Sequence, residues 1–218
     1  MKTKIKKLYE FGKNHIIDTT AILTVTNPLY AAFENILVGM PDDVALKARG
    51  LASLTAYLGM GSLLSKGRDF SRKKFKINDT TPEKIQLLHD TVYMMAMNVA
   101  IAPVMYTLSG ASPKQTLFGT LSAMGLSLVS GGIMGYGIDL FRDLTGIKKS
   151  ERIPRSISNL KSKAKKGLVG LLVGASIGAC GLVYHLTPDK KQEPESYQIE
   201  KAPIKIETQE NKTIESYL

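Results

Sequence analysis

Residues 131–143 read GGIMGYGIDLFRD. Glycines and a tyrosine stand among apolar residues, and Asp139, Arg142 and Asp143 follow. Such a run can be a phosphate-cradling loop, a helix stop, or the charged end of a membrane helix. A phosphate loop needs a strand before it and Gly-Lys-Ser/Thr after it, and neither flanks this stretch. The run instead closes an apolar block from Thr116 to Leu140. A helix of about 20 mainly apolar residues crosses the hydrocarbon layer. The glycines then make a surface for close helix–helix contact, and Arg142 and Asp143 mark where the helix leaves the membrane.

Four further apolar blocks follow the same logic: Ile16 to Val38, Gly50 to Leu64, Leu87 to Leu108 and Gly167 to Leu186. The second is short unless Ala45 to Ala48 extend it. None has the wide charged face of a soluble amphipathic helix. A soluble all-helical core is the competing reading. Against it stand the uncharged fifth block and the Ser, Thr and Gly inside the others. The predicted fold is an all-α integral membrane protein: a four-helix transmembrane core of two tandem helical hairpins, plus a fifth transmembrane helix.

The formal net charge is +10 over 218 residues. The basic residues cluster at block boundaries. They include Lys2, Lys4, Lys6, Lys7 and Lys13, then Lys66 to Lys84, then Arg142 to Lys166. With alternating spans these fall on one side, while the opposite links carry only Lys47, Arg49 and Lys114. The positive-inside bias predicts a multi-pass protein of the inner or plasma membrane with a cytoplasmic N-terminus. The expected segments are a basic N-terminus (1–14), a four-helix domain (15–147), a basic amphipathic linker on an anionic lipid surface (148–166), a fifth span (167–186) and a polar disordered tail (187–218). Asp18, Asn27 and Glu34 interrupt the first apolar run, so it reads as a retained helix and not a signal peptide.

Other classes find little support. Cys180 is the lone cysteine, and His15, His89 and His185 are far apart, so no metal site or cofactor is expected. No nucleophile, base and orienting group converge on an enzyme site. The basic residues lie at span boundaries without a nucleic-acid motif, so nucleic acid is not expected as a partner.

The hairpins resemble each other. Asp18-Thr19 and Asp90-Thr91 open the first helices, each after a histidine; Pro41 and Pro113 follow the turns; Arg68-Asp69 and Arg142-Asp143 close the second helices. Such duplications recur in transporters. An ionisable residue at mid-membrane costs about 2.5–3.5 kcal/mol on insertion scales, so each one needs a reason. Asp18 and Asp90 serve as helix-start acids or as pathway groups. Asp139 pairs with Arg142 three residues on, or belongs to a path. Glu34 carries a proton or pairs with Arg49, or else snorkels to the interface. Asn27 beside Pro28, and Asn98 near Pro103, offer polar groups and freed carbonyls to a small zwitterion.

Asp18-Thr19, Ala21, Glu34, Gly39-Met40, Arg49 and Arg68-Asp69 resemble the first hairpin of the bacterial L-alanine exporter family, AlaE. Pro103, Tyr106, Gly110-Ala111 and Gly135-Tyr136-x-x-Asp139-x-x-Arg142 resemble its second. The likeness covers about residues 15–147; the fifth span and tail lie outside the four-helix pattern. It implies a secondary exporter of L-alanine or a similar small amino acid, coupled to protons. Asp18, Asn27, Glu34, Arg49, Asp90, Asn98, Tyr106, Tyr136, Asp139 and Arg142 are the pathway candidates. Four short helices leave little room for a pathway, so a homo-oligomer is expected. The alternative function is a non-transporting membrane scaffold that recruits partners through its basic loops or tail. In the fifth block, Gly170, Gly174 and Gly178 recur every four residues, a spacing for close packing on the core or on another subunit.

Overall fold

The structure is a computed structural model that describes residues 2–187. Most of the predicted tail therefore lies outside the described residues. Every regular element among the described residues is helical: α1 (Lys2–Ala32), α2 (Asp42–Thr55), α3 (Gly61–Lys74), α4 (Glu83–Leu108), α5 (Pro113–Leu144), α6 (Arg155–Ser158) and α7 (Ser162–Leu186). Four helices are long and apolar enough to cross a membrane: the run Lys4–Val38, then α4, α5 and α7.

The second predicted span is not among them. The chain there forms α2 and α3, 14 residues each, joined by a π turn at Ala56–Met60. Each piece reaches only about 21 Å at 1.5 Å per residue. Gly59, at φ 137° and ψ −21°, breaks the helix inside that turn, in a backbone region that side chains oppose. A broken helix thus stands where a single spanning helix is expected. The predicted boundary at residue 14 is also absent, because α1 runs unbroken from Lys2.

Local chemistry explains the ends. Ser112 and Gln115 form a reciprocal capping box, and Pro113 occupies the first helical position of α5. The run from α1 widens into a π turn, Phe33–Val38, and stops at Gly39, whose φ of 68° is left-handed. This turn carries Glu34 and Asn35, both buried. Single π turns inside helices often mark functional positions.

Two apolar clusters form the core. One gathers Tyr30, Met40, Val44, Ala102, Tyr106 and Leu126; the other gathers Ile22, Met94, Met134, Ile138 and Phe141. Helix α5 is central, packing on α4 and α1. The glycines of residues 131–137 make this possible. A Cβ at Gly131 would lie 2.6 Å from the Thr91 Cα, and one at Gly132 would lie 2.7 Å from the Leu87 side chain. One at Gly137 would meet Val25 at 2.9 Å. The close helix contact expected of this stretch is present.

Helix α7 lies on α1 and α5. Val169, Leu172, Val173 and Tyr184 face the clusters. Gly170, Gly174, Gly178 and Gly181 have open space where a Cβ would stand. The small-residue strip therefore points away from the core, so of the two expected partners, the core or another subunit, the core is not the one it meets. The expected amphipathic surface helix over 148–166 is also replaced. Only the four residues of α6 are helical before α7 begins, and Ile153 is buried instead of facing outward.

Candidate functional site

Polar side chains gather at two levels of the bundle. At one end, which holds the C-terminus of α1, Glu34 is 1 % exposed. Its Oε1 accepts from Arg49 Nη2 of α2 at 2.6 Å and from the Tyr106 hydroxyl of α4 at 2.9 Å. The expected Glu34–Arg49 pair is thus formed, and snorkelling is excluded by the burial. The Arg49 guanidinium also lies over the Tyr30 ring, 4.8 Å from its centroid. Glu34 Oε2 and Arg49 Nε are buried without a hydrogen-bond partner among the described residues. Buried groups of this kind are rarely left unmet.

Arg49, Tyr30 and Tyr106 line a cavity of about 100 Å³ between α1, α2 and α4. Asn98 also lines it, and donates to the Tyr30 hydroxyl at 2.5 Å and to Ser127 Oγ at 2.6 Å. Thr26, Ile22, Met94 and Leu64 supply an otherwise apolar wall. Asn27 is not on this wall. It donates to Ser53 of α2 at 3.1 Å, so the expected Asn27–Asn98 pairing around one ligand does not form.

The other end holds a denser network. Arg142 of α5 donates to both oxygens of Asp18 on α1, at 2.8 and 2.6 Å, and to Asp69 of α3 at 3.0 Å. Arg72 of α3 embraces Asp90 of α4, with Nε 2.8 Å from Oδ1 and Nη2 on Oδ2. Each hairpin therefore contributes its opening aspartate to an arginine of the other hairpin. The glycine contacts beside these aspartates stay within each hairpin. A Cβ at Gly135 would collide with the Asp90 carboxylate, and one at Gly61 would collide with Thr19.

Asp139 corrects the sequence expectation. Its partners are Arg68 at 3.0 Å, Arg72 at 3.5 Å and Arg152 at 2.7 Å, whereas Arg142 three residues on turns to Asp18. The reason is crowding by arginines from α3 and the α5–α6 link, which reach Asp139 across the helix boundary. Asp18 and Asp90 are likewise ion-paired between helices and are not merely helix-start charges. Tyr136 does not line this cavity. Its ring lies beneath the Arg152 guanidinium at 5.7 Å.

Arg68, Arg72, Arg152 and Tyr30 were not among the pathway candidates. Arg68 stood in the Arg-Asp repeat, and Arg72 follows it by one helical turn. Arg152 carried no signal, being one of many cations in the basic link. Its side chain is 1 % exposed and bonds Glu83 at 2.6 and 3.0 Å. Burial opposes its charge, but Glu83 and Asp139 outweigh this and raise its pKa above the ordinary guanidinium value. Asp143, read as a helix-exit marker, is buried and ties the link to α5. It accepts from the Ser150 amide, the Ser158 hydroxyl and Lys165.

No group of three or more potential metal ligands forms among the described residues. No protein-family model, curated protein or solved structure matches the chain.

Proposed function

We propose that this chain is a membrane-embedded secondary exporter of L-alanine or a similarly small amino acid, driven by protons. The observation that carries the reading is the buried Glu34–Arg49–Tyr106 cluster beside a cavity of about 100 Å³. A zwitterion needs one cation and one anion within a few ångströms of each other. Arg49 and Glu34 supply both, and each keeps one buried polar atom unmet. An apolar cavity of about 150 Å³ accepts benzene. A smaller one suits a ligand with a methyl side chain or none. Glu34 is the proton-carrying candidate, since it is the carboxylate that bonds two residues of the cavity wall, Arg49 and Tyr106.

Supporting the membrane setting are four helices of spanning length and a broken α2–α3 pair. Discontinuous helices recur at transporter binding sites. The basic residues near the Asp18–Arg142 level favour a cytoplasmic setting for it, and an outer one for the Glu34 level. The likeness to the AlaE family in residues 15–147 points to the same activity.

Counterflow of labelled alanine in proteoliposomes tests this, with glycine, serine and leucine as competitors. Exchange that glycine and serine compete for, and leucine does not, is expected. Alanine-loaded vesicles showing no protein-dependent exchange would reject the proposal. A scaffold role is the second reading. It is favoured by the glycine face of α7, which no described residue covers.

A further inference from the structure

A second cavity, of about 470 Å³, opens at the turn between α3 and α4. Three arginines and three lysines line it against three aspartates. The arginines are engaged by Asp18, Asp69, Asp90 and Asp139, and Lys148 meets Asp79 at 3.2 Å. Lys73 and Lys76 are exposed and join no ion pair among the described residues. Arg68, deeply buried on the wall, keeps an Nε with no partner there. The lining therefore carries spare positive charge together with one unmet buried donor.

Lys76 supplies an independent observation. Helices α3 and α5 end in the same way. The Ile77 amide donates to Arg72 O at 2.8 Å, and the Ile147 amide donates to Arg142 O at 2.8 Å. The residue before each isoleucine is left-handed. At α5 it is Gly146, φ 72°, the residue such a stop favours. At α3 it is Lys76, φ 57°, the one described residue other than glycine with a positive φ. A lysine opposes this conformation where glycine accepts it. Its side chain lines the charged cavity, which gives that departure a use.

We propose that this cavity is a binding site for a phosphate group, held by Lys73, Lys76 and Arg68. A doubly charged tetrahedral anion suits two free ammonium groups together with a guanidinium donor. The group can arrive on a lipid headgroup or as free phosphate. Phe70 and Phe75, exposed in the same stretch of chain, suit a lipid surface. The site is independent of the transport reading, and the free-phosphate arm of its test is independent of the membrane reading as well.

The test uses the full chain and follows its thermal midpoint. One arm adds inorganic phosphate in detergent, against chloride at equal ionic strength. The other compares phosphatidylcholine nanodiscs with and without phosphatidic acid. A midpoint rise in the first arm identifies free phosphate, and a rise in the second identifies the lipid. In either arm, Lys73→Ala raises the half-maximal concentration about tenfold, as expected for one lost charge-assisted contact. Lys76→Gly separates binding from folding. It raises the ligand-free midpoint, because glycine accepts the left-handed turn, yet it weakens the response to the anion. No rise in either arm, or a rise that both variants retain in full, overturns the proposal.

Discussion

Asp18 and Arg142 lie 124 positions apart in the chain and form a two-pronged ion pair, at 2.8 and 2.6 Å. The pair joins the first helix of one hairpin to the second helix of the other. Asp18 is buried and the Arg142 side chain is 12 % exposed, so solvent screens the contact little. Asp18→Asn leaves a buried guanidinium short of its main partner, a loss of about 3–5 kcal/mol. The exchanged pair, Asp18→Arg with Arg142→Asp, restores part of that stability. Denaturant titration of the native chain, Asp18→Arg, Arg142→Asp and the exchanged pair in detergent measures the coupling as a double-mutant cycle.

Glu34 separates exchange from proton drive. Glu34→Gln keeps a polar group beside Tyr106 and removes the titratable one. Alanine counterflow therefore persists at a raised half-saturation concentration, while efflux stops following an imposed proton gradient. Arg49→Gln weakens alanine binding itself, which appears as a raised half-saturation concentration in counterflow. The single variants each leave one buried charge unpaired, whereas the double variant leaves none. The double variant is therefore less destabilised than the two singles added together. Gradient-driven efflux that survives in the Glu34→Gln protein removes Glu34 from the proton path.

Much of this arrangement was legible in residue spacing. The apolar blocks marked α1, α4, α5 and α7, because length and hydropathy are local properties. The Glu34–Arg49 pair was legible because a Gly-Met-Pro turn joins the end of the first span directly to α2 and brings nearby sequence together. The break at Gly59 was not. Glycine inside an apolar run suits both close packing and a kink, and only the surrounding helices decide between them. The Asp139 partners were hidden for a related reason. Helical spacing singled out Arg142, but tertiary packing of α3 and the α5–α6 link delivered Arg68, Arg72 and Arg152. Long-range charge pairing depends on register between helices, which one helix's sequence does not contain.

Asp139 and Asp69 give a contrast within one network. Asp139 faces three arginines and its side chain is 6 % exposed; the Asp69 side chain is 43 % exposed. Asp139→Asn leaves a surplus of buried positive charge and destabilises the fold by about 3–5 kcal/mol. Asp69→Asn removes solvent-screened contacts and costs about 0–1 kcal/mol. Thermal midpoints of the two variants in one detergent check the ranking. Equal shifts would show that the network shares its charge too widely for burial to matter.

The glycines of α5 and α7 look alike in sequence but have opposite surroundings. At Gly131 a methyl group would press on the Thr91 backbone, which has no rotamer to yield, and at Gly135 it would displace the Asp90 carboxylate from Arg72. Alanine at either position costs about 1–3 kcal/mol through overpacking. At Gly174 nothing stands within 4 Å, and the residue lies inside a helix. Alanine there gains about 0.8–1 kcal/mol of helix propensity. Gly131→Ala therefore lowers the thermal midpoint and Gly174→Ala raises it. A midpoint that falls in the Gly174→Ala protein, together with loss of a cross-linked dimer, means that a second chain covers the α7 face. The same substitution thus measures both the monomer's packing and the homo-oligomer expected from the size of the bundle.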